Sequence, residues 1–180
     1  PSIPGEPELI GVDVDGDGNV YVVDKAGGRI IKLSPEGALL ASWGGIGGEP
    51  GKFLNIGMVA VGDREVYVSD VATRRVQAFS LAGEFLREFT VPVDSEDRFV
   101  GWLDADGDGY VYVVDHTGST VTKLSRYGDV VAVLTAETTG WPATESLLGI
   151  AVSGQDAIYL TAPLDGSVIM LAAIGGGSPS

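Results

Sequence analysis

Apolar and polar positions alternate along this chain in short stretches, and glycine, aspartate or proline separates one stretch from the next. The first stretch, Leu9–Val14, leads into the turn sequence Asp15-Gly16-Asp17-Gly18-Asn19 and then into the β-branched and aromatic stretch Val20–Val23. Alternation bounded by turn residues is typical of antiparallel strands joined by hairpins. No apolar period of 3.6 residues persists long enough to predict a helix.

The pattern predicts four short strands in each of three successive units and three in a fourth. The predicted strands are Leu9–Val14, Val20–Val23, Ile30–Leu33 and Ala38–Trp43; Val59–Val61, Val66–Ser69, Val76–Phe79 and Phe85–Thr90; Trp102–Ala105, Tyr110–Val114, Val121–Leu124 and Val130–Leu134; Gly149–Val152, Ile158–Thr161 and Val168–Leu171.

Two markers repeat with one period. The second strand of every unit carries a tyrosine, and these tyrosines are 46, 45 and 47 residues apart. A glycine keeps the same spacing. The markers are Tyr21, Tyr67, Tyr112 and Tyr159, and Gly37, Gly83, Gly128 and Gly175. Four short strands in about 45 residues are typical of a β-propeller blade. We therefore predict an all-β chain of about four consecutive antiparallel blades.

The predicted blades divide the chain as follows. A lead of residues 1–8 precedes blade 1 (9–53), blade 2 (54–99), blade 3 (100–146), blade 4 (147–174) and a Gly/Ser/Pro tail (175–180). Blade 4 has an outer strand that is missing or atypical.

The units resemble the NHL-repeat family. Unit 1 carries the resemblance in Gly11-Val12-Asp13-Val14-Asp15, Gly28-Arg29-Ile30 and Ser34-Pro35-Glu36-Gly37, and in a glycine-rich link, Trp43–Phe53. Unit 2 matches nearly as well, whereas units 3 and 4 diverge. The resemblance implies an NHL-type propeller, a fold that usually closes with six blades. Two alternatives follow: the four blades close on themselves, or they form an arc whose apolar end faces need a cover. We expect the arc.

Composition excludes several classes of function. Against 11 basic residues stand 25 acidic ones, for a net charge of −14, and this charge repels nucleic acid and anionic lipid. With no cysteine and the single histidine His116, the chain has no disulfide framework and no multi-histidine metal site. No apolar run is long enough for membrane insertion.

Two segments read D-x-D-x-D-G, like the start of a calcium loop. Their carboxylates are Asp13, Asp15 and Asp17, and Asp104, Asp106 and Asp108. A hairpin turn explains each segment better, because the residue at the twelfth position lies too far along an extended strand to return as a ligand. Calcium remains the alternative, and no other cofactor is expected.

Two further aspartates precede an arginine by five residues, across the turn between strands two and three. These pairs, Asp24 with Arg29 and Asp70 with Arg75, are expected to be structural ion pairs that close the turn.

No set of catalytic residues stands out, so we expect a non-catalytic module for protein–protein binding or scaffolding. Its expected partners are a protein or further blades of the same or another chain, and its expected location is secreted or cell-surface. The alternatives are a hydrolase or lyase with a carboxylate-held metal, and a calcium-binding structural propeller.

Overall fold

The computed structural model describes residues 6–92, 100–115, 120–141, 147–153, 157–162 and 166–171. They form fifteen strands and one short helix. In chain order these are β1 Leu9–Val14, β2 Val20–Asp24, β3 Arg29–Leu33, β4 Leu39–Gly44, β5 Ile56–Val61, β6 Glu65–Asp70, β7 Arg75–Ser80, β8 Phe85–Thr90, β9 Val100–Ala105, β10 Val111–Asp115, β11 Thr120–Leu124, β12 Val130–Leu134, α1 Ala136–Thr139, β13 Gly149–Val152, β14 Ile158–Ala162 and β15 Ser167–Leu171.

The strands form four separate antiparallel sheets, each a meander of consecutive strands. Three sheets have four strands and the last has three, β13-β14-β15. The strands that carry the repeated tyrosine, β2, β6, β10 and β14, hold the second place in successive sheets, which confirms the prediction made from the repeat. The chain is an all-β protein with a four-blade β-propeller arrangement.

The sequence pattern missed helix α1. It is a single turn that starts after Thr135, whose side chain accepts from the Thr138 N–H, and it ends at Gly140 in the left-handed conformation. Four residues are too few to show a 3.6-residue apolar period, so periodicity has no signal to detect. None of the described helices is long and apolar enough to cross a membrane.

Blades stack through the two faces of each sheet. We call the face that packs on the following blade the front and the opposite face the back. The repeated tyrosine lies on the front, and the residue after it lies on the back. Three buried apolar clusters fill the junctions 1→2, 2→3 and 3→4. The innermost strands β1, β5, β9 and β13 pack side by side from one blade to the next.

The repeated glycine has a packing reason at two of these junctions. Gly83 and Gly128 lie in turns with φ of 90° and 91°, and a Cβ on either would come within 2.7 Å of an aromatic ring of the preceding blade. The two rings belong to Trp43 and Phe89, which hold equivalent places on outer strands β4 and β8. Gly175 and the rest of the predicted tail lie outside the described residues, as do residues 1–5.

The end blades keep exposed apolar faces. On the back of blade 1, Val12 and Val14 are exposed, and on the front of blade 4, Tyr159, Val168 and Met170 are exposed. The strand pattern predicts exposed faces built from Val12, Val22 and Ile31 in blade 1 and from Ile150, Leu160 and Ile169 in blade 4. This prediction holds for Val12 and is wrong for the others: Val22 and Ile31 are buried, and the three blade 4 residues pack into the junction with blade 3. The reason is rotational repetition: equivalent positions face the same way in every blade, so the two ends expose opposite faces.

Candidate functional site

The first aspartate of each D-x-D-x-D-G segment joins two neighbouring blades. Asp13 accepts the Val14 N–H at 2.8 Å through Oδ1 and the Val61 N–H of blade 2 at 2.6 Å through Oδ2. Asp104 repeats this geometry with Ala105 at 2.8 Å and Val152 of blade 4 at 2.6 Å. Burial raises the pKa of Asp104 to about 6, although the two backbone hydrogen bonds lower it. Burial also raises the pKa of Asp13.

The second aspartate closes the hairpin turn. Asp15 accepts from Asn19 and from the hydroxyl of Tyr21 at 3.0 Å, and it lies 3.4 Å from Lys32 Nζ. Although burial opposes it, these donors together lower the pKa of Asp15 to about 2.

Blade 3 contains the same arrangement of side chains. Asp106 accepts the Tyr112 hydroxyl at 3.0 Å and the Tyr110 N–H at 2.8 Å, and Lys123 Nζ lies 3.9 Å away. Asp15 and Asp106 therefore each contact a tyrosine and a lysine of their own blade.

The third aspartate, Asp17 or Asp108, lies in the exposed turn. Within the described part of the chain, no three His, Cys, Asp or Glu side chains are grouped so that they could hold a metal ion. The geometry therefore assigns the first two carboxylates of each segment to hydrogen bonds within the fold, and calcium binding stays the untested alternative.

The two aspartate–arginine pairs both form across their turns. Arg29 Nε lies 2.8 Å from Asp24 Oδ2, and Asp24 Oδ1 also accepts the N–H groups of Gly27 and Glu8. The Arg29 side chain is 38% exposed. This pair fastens a surface turn to the start of β1.

The second pair is buried and ties two blades together. Asp70 Oδ2 lies 3.2 Å from Arg75, and Asp70 accepts the N–H groups of Leu54 and Asn55 in the link that enters blade 2. Arg75 donates to the carbonyls of Gly48 and Lys52 in the same glycine-rich link. The pair therefore holds the chain segment that connects blades 1 and 2.

A charged cluster at the junction of blades 2 and 3 was not predicted. Glu65 pairs with Arg87 at 2.5 Å, accepts the Tyr67 hydroxyl at 2.7 Å, and lies 3.8 Å from Arg126. It borders a polar cavity of about 300 Å³ between the hairpin turns of the two blades. The sequence did contain a sign of this cluster. Blade 2 has Gly62 where blades 1 and 3 have Asp15 and Asp106, the aspartates that accept the tyrosine hydroxyl, so the Tyr67 hydroxyl donates to a different carboxylate.

A second cavity, of about 310 Å³, opens at the other end of the inner strands. Ile10 of β1, Met58 of β5 and Trp102 of β9 line it, together with Lys25 and Asn55. It is a mainly apolar recess where three blades meet.

Comparison with known proteins supports the fold alone. Virginiamycin B lyase from Staphylococcus aureus superposes with a TM-score of 0.66 at 12% identity, over 97% of this chain and 59% of that one. A streptogramin B lyase superposes with a TM-score of 0.62 at 11% identity, over 93% of this chain and 55% of that one. Glutaminyl cyclase from Myxococcus xanthus superposes with a TM-score of 0.60 at 16% identity, over 93% of this chain and 73% of that one. The fold is that of a β-propeller. The chain spans under three fifths of the length of these lyases.

No family model matches the sequence, and no curated protein matches it. The resemblance to NHL repeats therefore stays an expectation drawn from the repeat motifs.

Proposed function

We propose that this chain is a non-catalytic, NHL-type propeller module for protein–protein binding or scaffolding, whose two end faces take further propeller blades. In this proposal the four blades form an arc within a larger secreted or cell-surface assembly. The acidic surface and the resemblance to NHL repeats support that setting.

The observation that carries the proposal is a contrast between equivalent positions. Val12 on the back of blade 1 is 66% exposed, whereas Val59 and Leu103, its counterparts in blades 2 and 3, are 5% and 6% exposed. Val168 on the front of blade 4 is 66% exposed, whereas its counterpart Val76 in blade 2 is fully buried. At these two positions the end faces carry side chains suited to a blade junction, whereas Val22 and Ile31 on the back of blade 1 are already buried in the single chain. Burying each of the two exposed valines contributes about 1.5 kcal/mol or more.

The expected partner also has a recognisable chemistry. Gly37 lies in the same turn as Gly83 and Gly128, with φ of 85°, and those two glycines each receive an aromatic ring from the outer strand of the preceding blade. A blade that docks on the back of blade 1 is expected to place a large apolar side chain over Gly37.

Cysteine labelling tests the proposal, because the chain has no cysteine of its own. Val168→Cys is expected to react quickly with a thiol dye in the isolated chain and to be protected when the chain is part of its natural assembly. Leu86→Cys, on an exposed outer-strand position, is the matched control that reacts in both states. Equal labelling of Val168→Cys in both states would contradict the proposal.

The alternative of a metal-dependent hydrolase or lyase draws on the likeness to lyases and a cyclase. At 11% to 16% identity that likeness carries no catalytic residue over to this chain.

A further inference from the structure

The apolar recess at the start of the inner strands is built by β-bulges at equivalent places in three blades. The pairing register passes over Ile10 in β1, over Gly57 and Met58 in β5, and over Gly101 in β9. All four of these residues line the recess. A bulge frees residues from the strand ladder and turns their side chains in a new direction, and bulges are frequent beside functional sites. The three blades therefore open space at the same place.

One buried hydroxyl holds two of these bulges together. Ser69 is fully buried, and its Oγ accepts the Met58 N–H at 2.9 Å and donates to the Gly101 carbonyl at 3.3 Å. Gly57 lies directly against this hydroxyl, since a Cβ at that position would collide with Ser69 Oγ. The walls that β5 and β9 contribute are therefore fixed before any ligand is present. Binding to a preformed site requires little ordering of the protein, and this favours even a small ligand.

The lining combines an apolar wall with two polar side chains. Ile10, Met58 and Trp102 are half-buried and supply an aliphatic, a thioether and an indole group. Lys25 carries the only charge among the lining residues that the structure describes, in a chain with 25 acidic and 11 basic residues. Asn55 bonds through its backbone, and its exposed side-chain amide has no partner within the described part of the chain.

We propose that this recess is a binding site for a small aromatic molecule that carries one anionic group. The ring packs against Ile10, Met58 and Trp102, and the anionic group pairs with Lys25 and accepts from the Asn55 amide. An indole and a thioether both make favourable contacts with an aromatic ring. The volume of about 310 Å³ is at the lower end for ligand sites and limits the occupant to one or two rings. The site is separate from the end faces of the proposed function and does not depend on them.

Isothermal titration calorimetry on the full chain tests the site with three probes. 2-Naphthoate has two rings and one carboxylate, 2-naphthamide has the same shape without the charge, and acetate has the charge without the rings. 2-Naphthoate is expected to bind with a dissociation constant of about 1 mM or lower. 2-Naphthamide is expected to bind about tenfold more weakly or worse, because it loses the charge-assisted contact, and acetate is expected to give no measurable binding in the same range.

A matched pair of lysine variants tests the charge. Lys25→Glu is expected to weaken 2-naphthoate binding by about tenfold or more and to leave 2-naphthamide binding unchanged. Lys52→Glu is the control, because Lys52 does not line the recess. The two lysines are otherwise alike: Lys25 is 46% exposed and lies 4.0 Å from Glu8, and Lys52 is 48% exposed and lies 3.8 Å from Glu49. Both are surface side chains, so both variants are expected to keep the wild-type melting temperature.

The two methionines of the chain locate the probe directly. Met58 lines the recess, whereas Met170 is exposed on the front of blade 4. In protein labelled with ¹³C at the methionine methyl groups, the ring current of 2-naphthoate is expected to shift the Met58 NMR signal and to leave the Met170 signal unchanged. A Met170 shift as large as that of Met58, equal weakening by the two lysine variants, or equal affinity for 2-naphthoate and 2-naphthamide would overturn the proposal. So would the absence of binding at about 10 mM 2-naphthoate.

Discussion

Replacing Asp104 by alanine is expected to destabilise the protein more at acid pH than at neutral pH. The substitution removes the acceptor of two backbone N–H groups, those of Ala105 and Val152. Each lost hydrogen bond costs about 1 kcal/mol of unfolding free energy, so the bonds alone predict a loss of about 2 kcal/mol.

Ionisation of the Asp104 carboxyl destabilises the folded protein and so opposes the contribution of the two hydrogen bonds. Burial raises the pKa of Asp104 from 3.8 to about 6, helped by the negative charges of Asp13 and Asp106. A carboxyl whose folded pKa is raised contributes stability that is complete below its unfolded pKa and is lost as the pH rises through its folded pKa. A shift of about two pH units corresponds to about 3 kcal/mol. Alanine has no such penalty, so the substitution is expected to cost about 2 kcal/mol at pH 4 and to be neutral, or stabilising by up to about 1 kcal/mol, at pH 7.5.

Urea unfolding of the wild-type protein and of Asp104→Ala at pH 4 and pH 7.5 measures this difference, with far-ultraviolet circular dichroism as the signal. Asp15→Ala is the control. The pKa of Asp15 is about 2, so its stabilising contribution disappears only below pH 4, and its loss on substitution is expected to be nearly equal at the two pH values. A cost of Asp104→Ala that is equal at both pH values, or larger at pH 7.5, would refute the reasoning.

Three further outcomes are expected. Millimolar calcium should leave the melting temperature unchanged, because the segment carboxylates are used within the fold; a site filled at 100 times its dissociation constant would add about 2.7 kcal/mol, and a rise abolished by Asp106→Ala would contradict the turn assignment. Gly83→Ala should cost more unfolding free energy than Gly140→Ala, since both have positive φ but only at Gly83 would a Cβ meet an aromatic ring, and equal losses in thermal melts would argue against that contact. Arg75→Ala should cost about 3 to 5 kcal/mol by leaving a buried carboxylate unpaired, whereas Arg29→Ala should cost about 1 kcal/mol or less, and chemical denaturation that ranks the two in reverse would show that burial does not govern these pairs.

The strands were predictable because their signals are local. A strand needs only alternating side chains and a turn at each end, and both are present within about ten residues of sequence. Leu9–Val14, Phe85–Thr90 and Val130–Leu134 were predicted with the bounds that the structure has. Helix α1 was not predicted, because a single turn depends on its caps and carries no period.

The sequence by itself determined the repeat, the strand order and the pairing of strands into blades, since neighbouring strands are joined by short turns. It also contained the equivalent aspartates Asp13 and Asp104, although their hydrogen bonds to the next blade could not be read from it. Only the tertiary structure decided which carboxylates reach the next blade, that Glu65 lies beside Arg126 across a junction, and which face each end exposes. These features depend on the rotation from one blade to the next, and that rotation brings together groups 40 or more residues apart, such as Asp13 and the Val61 N–H.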